Sequence, residues 1–434
     1  MAANMTTETP GPTYRSVFAV AEFRTMFAGL LMFILGFEFE ILGMSVLVYT
    51  QTRSSFLAAV TFGMGFMPQA VGGAFITSLA DRLSPRAVIT GSLFIRATPG
   101  LVIGLWPALP IPAKLGLLAV AATVTPVFIA ANSGLLPDVL GEDRYVLGRS
   151  IFSSSNSAVQ VIGLGVGGGV LAALPARWLL LAAGGSLVAA GTIMRLGLQY
   201  RAARAGSRGI RGVVRTTMTG NAELLADRRV RSLLLAQWLP MWFITGAEAL
   251  IIPYTVSLGH HAVAASPLLA AVPTGMLIGD VIVGRFCPAA VRERLAFPLA
   301  LLVGAPLVAA LFHPPLLVIG AALFLSGLGC SYHLSIQKAF LHSLSPELRG
   351  RGFGLRAAGE LGGEGLIPSA IGGIAAGLGA APAIAIAGAA GVLAALALRG
   401  PLSHAAARAG AGGHAPALVR TRSEQPQRVP EKNP

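Results

Sequence analysis

Along most of this chain apolar residues do not alternate with polar ones. They run on unbroken and stop only at short clusters of charge, proline and glycine. Apolar stretches of about 18 or more residues are what a helix needs to cross the hydrocarbon of a bilayer. Breaking the runs at those clusters predicts about twelve spanning helices, over 26–49, 56–80, 87–106, 113–136, 151–173, 178–199, 231–256, 265–285, 296–312, 315–336, 353–378 and 382–398. The fold class expected is an all-α membrane protein, because in lipid every backbone N–H and C=O must be bonded internally.

Charged residues make up 12% of the 434, about half the ~25% of a soluble protein, and their placement matters more than their number. With both termini cytoplasmic, 28 of the 32 Lys and Arg fall in inner segments or their flanks. Arg53, Lys114 and Arg177 fall outside, and Arg96 lies within a span. An excess of this kind sets topology. It also absorbs the net charge of +14 as an orientation signal and a contact for anionic lipid, so no nucleic-acid partner is expected. Cys287 and Cys330 fall in an inner loop and a span, which implies no disulfide framework. Residues 1–21 are polar and lack a signal-peptide core, so the first span is expected to insert as a true transmembrane helix.

The loops of the first six spans recur in the last six. Arg82 and Pro85 return as Arg285 and Pro288, 203 positions on; Trp106-Pro107 returns as His313-Pro314, 207 on; Glu142-Asp-Arg144 returns as Glu347-Leu-Arg349, 205 on. Three loops in register point to two pseudo-symmetric six-helix bundles, an arrangement that places one site at the midplane between repeats. The expected organisation is a cytoplasmic tail over 1–21, a first bundle over 22–199, a cytoplasmic inter-bundle loop over 200–230, a second bundle over 231–399 and a disordered basic tail over 400–434.

Between the second and third spans stands Gly72-Gly73-Ala-Phe-Ile-Thr77-Ser-Leu-Ala-Asp81-Arg82-Leu-Ser84-Pro-Arg86. It resembles the loop motif of the major facilitator superfamily of transporters, with Thr77 and Ser84 replacing two family glycines. Leu-Pro137-Asp138-Val-Leu-Gly-Glu-Asp143-Arg144 and Ser-Pro346-Glu347-Leu-Arg349-Gly-Arg351 resemble the bacterial efflux branch that includes macrolide and siderophore exporters. Gly163-Leu-Gly165-Val-Gly167-Gly168-Gly169 is similar to the glycine-rich motif of drug–proton antiporters, without its usual proline, and the second-half loop carries Gly284 where Asp81 stands. The resemblance implies the major facilitator fold and a gate built from Gly73, Asp81, Arg82 and Arg86, with Asp138 and Arg144 in the partner segment. In that gate Asp81 meets the start of the eleventh helix, whose N-terminus favours a carboxylate.

Ionised side chains inside a membrane cost at least about 2.5–3.5 kcal/mol, so each needs a reason. Glu38 and Glu40 are two residues apart on the first span, about 200° around a helix, so both cannot face one cavity; Glu38 is favoured for it, and pairing with neighbours is the alternative for both. Arg356, Glu360 and Glu364 stack at i, i+4, i+8 on the eleventh span. Arg356 snorkels and pairs with Glu360, while the deeper Glu364 is a candidate proton carrier, since burial favours the neutral form of a carboxyl group. Arg96 neutralises Glu38, Glu40 or Asp280, or binds an anionic substrate group. Glu248 and Asp280 complete the proton or substrate candidates. Asn156 with Gln160, and Trp238 with Trp242, share helical faces and are candidate cavity-lining residues; tryptophans near a span's end serve equally as interfacial anchors. His333 reads as an interhelical hydrogen-bonding residue or a proton relay.

Function classes separate on what is present. The sequence holds no phosphate-binding Gly-x4-Gly-Lys-Ser/Thr loop of a primary pump, no His-Glu pair at metal spacing and no Gly-x-Ser-x-Gly elbow of an embedded enzyme. Neither catalytic residues nor metal are expected. Secondary transport leads: proton-coupled export of a small, partly hydrophobic compound (drug, antibiotic or secondary metabolite) by a monomer in the bacterial plasma membrane, driven by the proton gradient with no other cofactor. Import of a small nutrient, or siderophore export, is the alternative on the same fold.

Overall fold

The computed structural model describes residues 13–75, 83–202, 221–345 and 348–402. Among them twelve helices are long and apolar enough to cross a membrane. In chain order they are α1 (Ala21–Thr52), α2 (Ser55–Gly73), α3 (Pro85–Leu105), α4 (Ile111–Gly141), α5 (Leu147–Ala173), α6 (Ala176–Gly197), α7 (Arg228–Ser257), α8 (Ala262–Phe286), α9 (Val291–Phe312), α10 (Leu316–His342), α11 (Arg351–Leu378) and α12 (Ala380–Ala397). Their starts are written locally. Ser54 accepts a hydrogen bond from the Leu57 N–H, Ser84 from that of Ala87 with Pro85 in the first turn, and Asp227 from those of Arg229 and Val230. Each such cap satisfies donors that the first helical turn leaves free.

One expected loop is mostly helix. Pro137 and Gly141 read as breakers, yet Pro137 lies inside α4 and only Gly141 leaves helical geometry, at φ 71°. The chain turns there in the left-handed region that glycine adopts without cost and re-enters a helix at once. Asp138 and Arg144 therefore flank a tight kink and are both exposed. The inter-bundle segment also turns helical earlier than expected, over 221–226, and α7 begins at Arg228.

Each half is tied together by helices pressed backbone to backbone, an arrangement small residues permit in membranes. A β-carbon on Gly100 of α3 would lie 2.7 Å from the Gly184 nitrogen of α6, and one on Gly304 of α9 would lie 2.4 Å from the Gly388 carbonyl oxygen of α12. Gly304 stands 204 positions after Gly100, and Gly388 stands 204 after Gly184. The duplication seen in the loops thus recurs in the packing of α3 on α6 and of α9 on α12. The two six-helix bundles meet where α2 packs on α11 and α5 packs on α8.

That seam is closely packed from the middle of the spans to the end where α2 and α8 begin and α5 and α11 finish. A β-carbon on Gly168 of α5 would sit 2.4 Å from Cβ of Ser266 and one on Gly372 of α11 would sit 2.5 Å from Cβ of Ala59; nearer the middle of the spans, one on Gly63 of α2 would sit 2.3 Å from the Gly365 carbonyl oxygen. At the opposite end Glu22 of α1 accepts from Arg201 (Nη2–Oε2 2.8 Å) and from the Gln199 N–H (3.0 Å), which ties the start of the inter-bundle segment to the first half. The Glu22 hydrogen bond raises the Arg201 guanidinium further above its usual pKa.

Candidate functional site

A cavity of about 290 Å³ lies between the halves. Three helices of each half line it, α1, α2 and α5 from one and α7, α8 and α11 from the other, and these are equivalent helices in the duplication. Above it the α2–α11 and α5–α8 contacts close the seam. Below, Asn156 of α5 both lines the cavity and is exposed, so the space reaches the surface on the side of the termini.

Four glutamates line this cavity: Glu38 from α1, Glu248 from α7, and Glu360 and Glu364 from α11. Glu38 is 7% exposed and within reach of the Gln160 amide. It lies close enough to Glu248 for the two charges to interact across the seam, and Glu364 lies close enough to Glu248 to interact with it within the second half. Glu360 accepts from Arg356 at 2.9 Å, one turn earlier on α11. The apolar wall includes Phe37, Phe62 and Phe66, whose rings meet edge-on or tilted at 5.9 and 5.8 Å. Met241 and Met276 contribute soft surface from the second half. Ser45 also lines the cavity; it is 3% exposed and its hydroxyl has no hydrogen-bond partner among the described residues.

The remaining candidates lie elsewhere. Glu40 turns away from the cavity and is ion-paired with Arg96 of α3; both are 1% exposed. The Arg96 guanidinium also lies 5.6 Å from the centre of the Phe37 ring. Asp280 does not line the cavity, and one of its carboxylate oxygens is buried without a hydrogen-bond partner among the described residues. Trp238 and Trp242, expected to line the cavity, do not. Their rings stack at 5.8 Å and donate N–H to the carbonyls of Arg356 (2.8 Å) and Gly359 (3.1 Å) on α11. The physical reason is the apolar surround: an indole N–H there needs an acceptor, and Gly359 and Gly363 leave α11 bare enough for the rings to reach its backbone.

Of the expected gate, Asp81 and Arg82 lie outside the described residues. Gly73 is within α2, and neighbouring Gly72 packs directly on the Thr123 carbonyl of α4. Arg86 donates to the Arg195 carbonyl at the end of α6, which braces the first half internally. His333 bonds within its own helix, Nδ1 lying 2.7 Å from the Cys330 carbonyl. No group of three or more His, Cys, Asp or Glu among the described residues is arranged to hold a metal ion.

Ser45, Thr245, Met241 and the phenylalanine wall were missed from sequence. Helical spacing could have found them: Ile41, Leu42 and Ser45 follow Glu38 at three, four and seven residues, and Met241, Ile244 and Thr245 precede Glu248 at seven, four and three.

The architecture is the major facilitator fold. The chain is similar to a POT family transporter solved with 5-aminolevulinic acid, with a TM-score of 0.69 at 10% identity over 87% of this chain and 95% of that one. It is similar to the nucleoside transporter NupG (TM-score 0.65, 12% identity, 88% and 99% covered) and to the human organic anion transporter MFSD10 (0.62, 16%, 89% and 100%). No family model and no curated protein matches the sequence.

Proposed function

We propose that this protein is a secondary active transporter that exports a small, partly hydrophobic compound in exchange for protons, by alternating access to the cavity between its halves. The observation that carries this reading is the cavity itself: equivalent helices of both halves enclose it, the seam closes it at one end, and Asn156 opens it at the other. A rocking of one bundle against the other exposes such a site to each side in turn. Carboxyl groups in a largely apolar wall that also carries amides and hydroxyls supply the proton acceptors, Glu38, Glu248 and Glu364 foremost. The Lys and Arg distribution supports termini on the cytoplasmic side of a bacterial plasma membrane, so the cavity is open inward. The protein acts as a monomer, with the proton gradient and surrounding lipid as its other partners.

Export is supported by the efflux-type motifs around Asp138 and Glu347. Import of a nutrient is the second reading, because the solved neighbours include a POT family transporter holding 5-aminolevulinic acid and a nucleoside transporter. Proteoliposomes with an imposed pH gradient and a substrate panel separate the two by the direction of gradient-driven flux. Glu38→Gln, Glu248→Gln and Glu364→Gln are each expected to lower gradient-driven flux at least tenfold while leaving some counterflow. Full gradient-driven flux in all three would end the proton assignment.

A further inference from the structure

We infer that the cavity selects a compact amphiphilic amine, whose ammonium group sits between Glu38 and Glu248 with its apolar body against the phenylalanine wall. This rests on the transport reading above and names the substrate class of the same site. Four carboxyl groups line the cavity and, among the described residues, no Lys, Arg or His does. Arg96 is paired with Glu40 away from the cavity, and Arg356 is paired with Glu360, which leaves Glu38, Glu248 and Glu364 without a basic partner among the described residues. Glu38, Glu248 and Glu364 therefore offer acidic groups with no described basic side chain lining the same space, so an ammonium ion finds a direct ionic partner there and a carboxylate-bearing solute finds none.

Three further features narrow the class. Phe62 and Phe66 line the same cavity as Glu38 and offer aromatic surface to which an ammonium or an apolar group is attracted, while the Phe37 ring already lies against the Arg96 guanidinium and adds apolar wall. Ser45, two turns along α1 from Glu38, lines the same cavity, and its buried hydroxyl, without a hydrogen-bond partner among the described residues, is free to accept one N–H of a substrate that reaches it. The volume of about 290 Å³ is at the lower edge of the ~300–1,000 Å³ usual for ligand pockets, which suits a single ring or short chain and excludes a macrocycle. Because Glu38 and Glu248 come from opposite halves, one ammonium held between them draws the halves together. A proton on either carboxyl removes that attraction, so amine and proton compete for the same two groups.

The test is equilibrium binding to the purified full chain in detergent, by scintillation proximity. The probes are matched sets: compact aromatic and aliphatic ammonium ions, the isosteric alcohols, and the isosteric carboxylates, beginning with 2-phenylethylammonium, 2-phenylethanol and 3-phenylpropanoate. At least one ammonium ion is expected to bind tenfold or more tightly than its alcohol and carboxylate partners. Glu38→Gln and Glu248→Gln are each expected to erase that preference, Glu38→Asp to keep it in part, and the exposed Glu223→Gln to leave it unchanged. Equal binding of a carboxylate, binding of no ammonium ion, or a preference that survives both glutamine variants overturns the proposal. An ammonium ion that binds but shows no counterflow in proteoliposomes leaves the cation site standing and ends the transport reading. Counterflow of an anion or neutral solute does the reverse.

Discussion

Arg96 of α3 donates to the Glu40 carboxylate of α1, and both side chains are closed off from the outer surface and the central cavity alike. The pair is not fully satisfied: Nε and one terminal nitrogen of Arg96, and one oxygen of Glu40, are buried without partners among the described residues. Removing one member leaves an uncompensated buried charge, which costs about 3–5 kcal/mol, whereas replacing both with apolar residues is often neutral or stabilising. Arg96→Met and Glu40→Leu are each expected to lower the apparent Tm in detergent sharply, and the double variant to recover most of it. Substrate affinity in the double variant should match the parent protein. A double variant as unstable as the singles would show that the pair holds something more than itself.

The two tryptophans of α7 make a different prediction from the one their spacing suggests. Since their N–H groups hold the α11 backbone, Trp242→Phe deletes one hydrogen bond, worth about 0.5–1.5 kcal/mol, and leaves the ring stack. Gly363→Ala acts on the same contact from the other side: its β-carbon would fall 1.9 Å from the Trp242 indole nitrogen. Both variants should lower the apparent Tm, Gly363→Ala the more, with substrate Kd changed less than threefold by Trp242→Phe. A loss of affinity of tenfold or more with Tm unchanged would return Trp242 to the cavity wall.

The seam between halves is equally testable. Gly63 and Gly365 approach so closely that one methyl group cannot enter without moving backbone. Gly63→Ala is therefore expected to wedge α2 from α11 midway along the closed part of the seam and shift the population toward an outward-open state. Spin labels at Ser54→Cys and Leu378→Cys, with Cys287 and Cys330 replaced by Ser, would report a longer distance in the alanine variant by double electron–electron resonance. An unchanged distance distribution would mean that the seam yields locally rather than by bundle motion.

Much of the fold was legible in the chain because lipid leaves few options: long apolar runs must be helices. The 200° between Glu38 and Glu40 already required them to part, but which one met the cavity depended on where α3 carries Arg96. Trp238 and Trp242 misled because a shared helical face says nothing about what faces it, and the decisive residues were Gly359 and Gly363 on another helix. Pro137 suggested a loop because proline breaks hydrogen bonds inside a helix, yet in a spanning helix a single missing bond is tolerated and only Gly141 turns the chain.

The duplicated glycine contacts yield the last prediction. Gly100 against Gly184 and Gly304 against Gly388 are the same contact in the two halves, 204 residues apart, and each brings backbone within reach of backbone. A β-carbon at Gly100 or Gly304 must push α3 from α6 or α9 from α12, and neither contact touches the cavity lining. Gly100→Ala and Gly304→Ala should each destabilise by about 1–3 kcal/mol, the usual cost of overpacking, with substrate Kd unchanged. The sites belong to separate bundles and share no partner, so the double variant should show the sum of the two effects to within about 0.5 kcal/mol. Chemical denaturation in mixed micelles gives these values. A double variant markedly less stable than the sum would show that the two contacts are energetically coupled through the seam, and the picture of two bodies rocking about a shared cavity would then need a softer hinge than the α2–α11 and α5–α8 contacts provide.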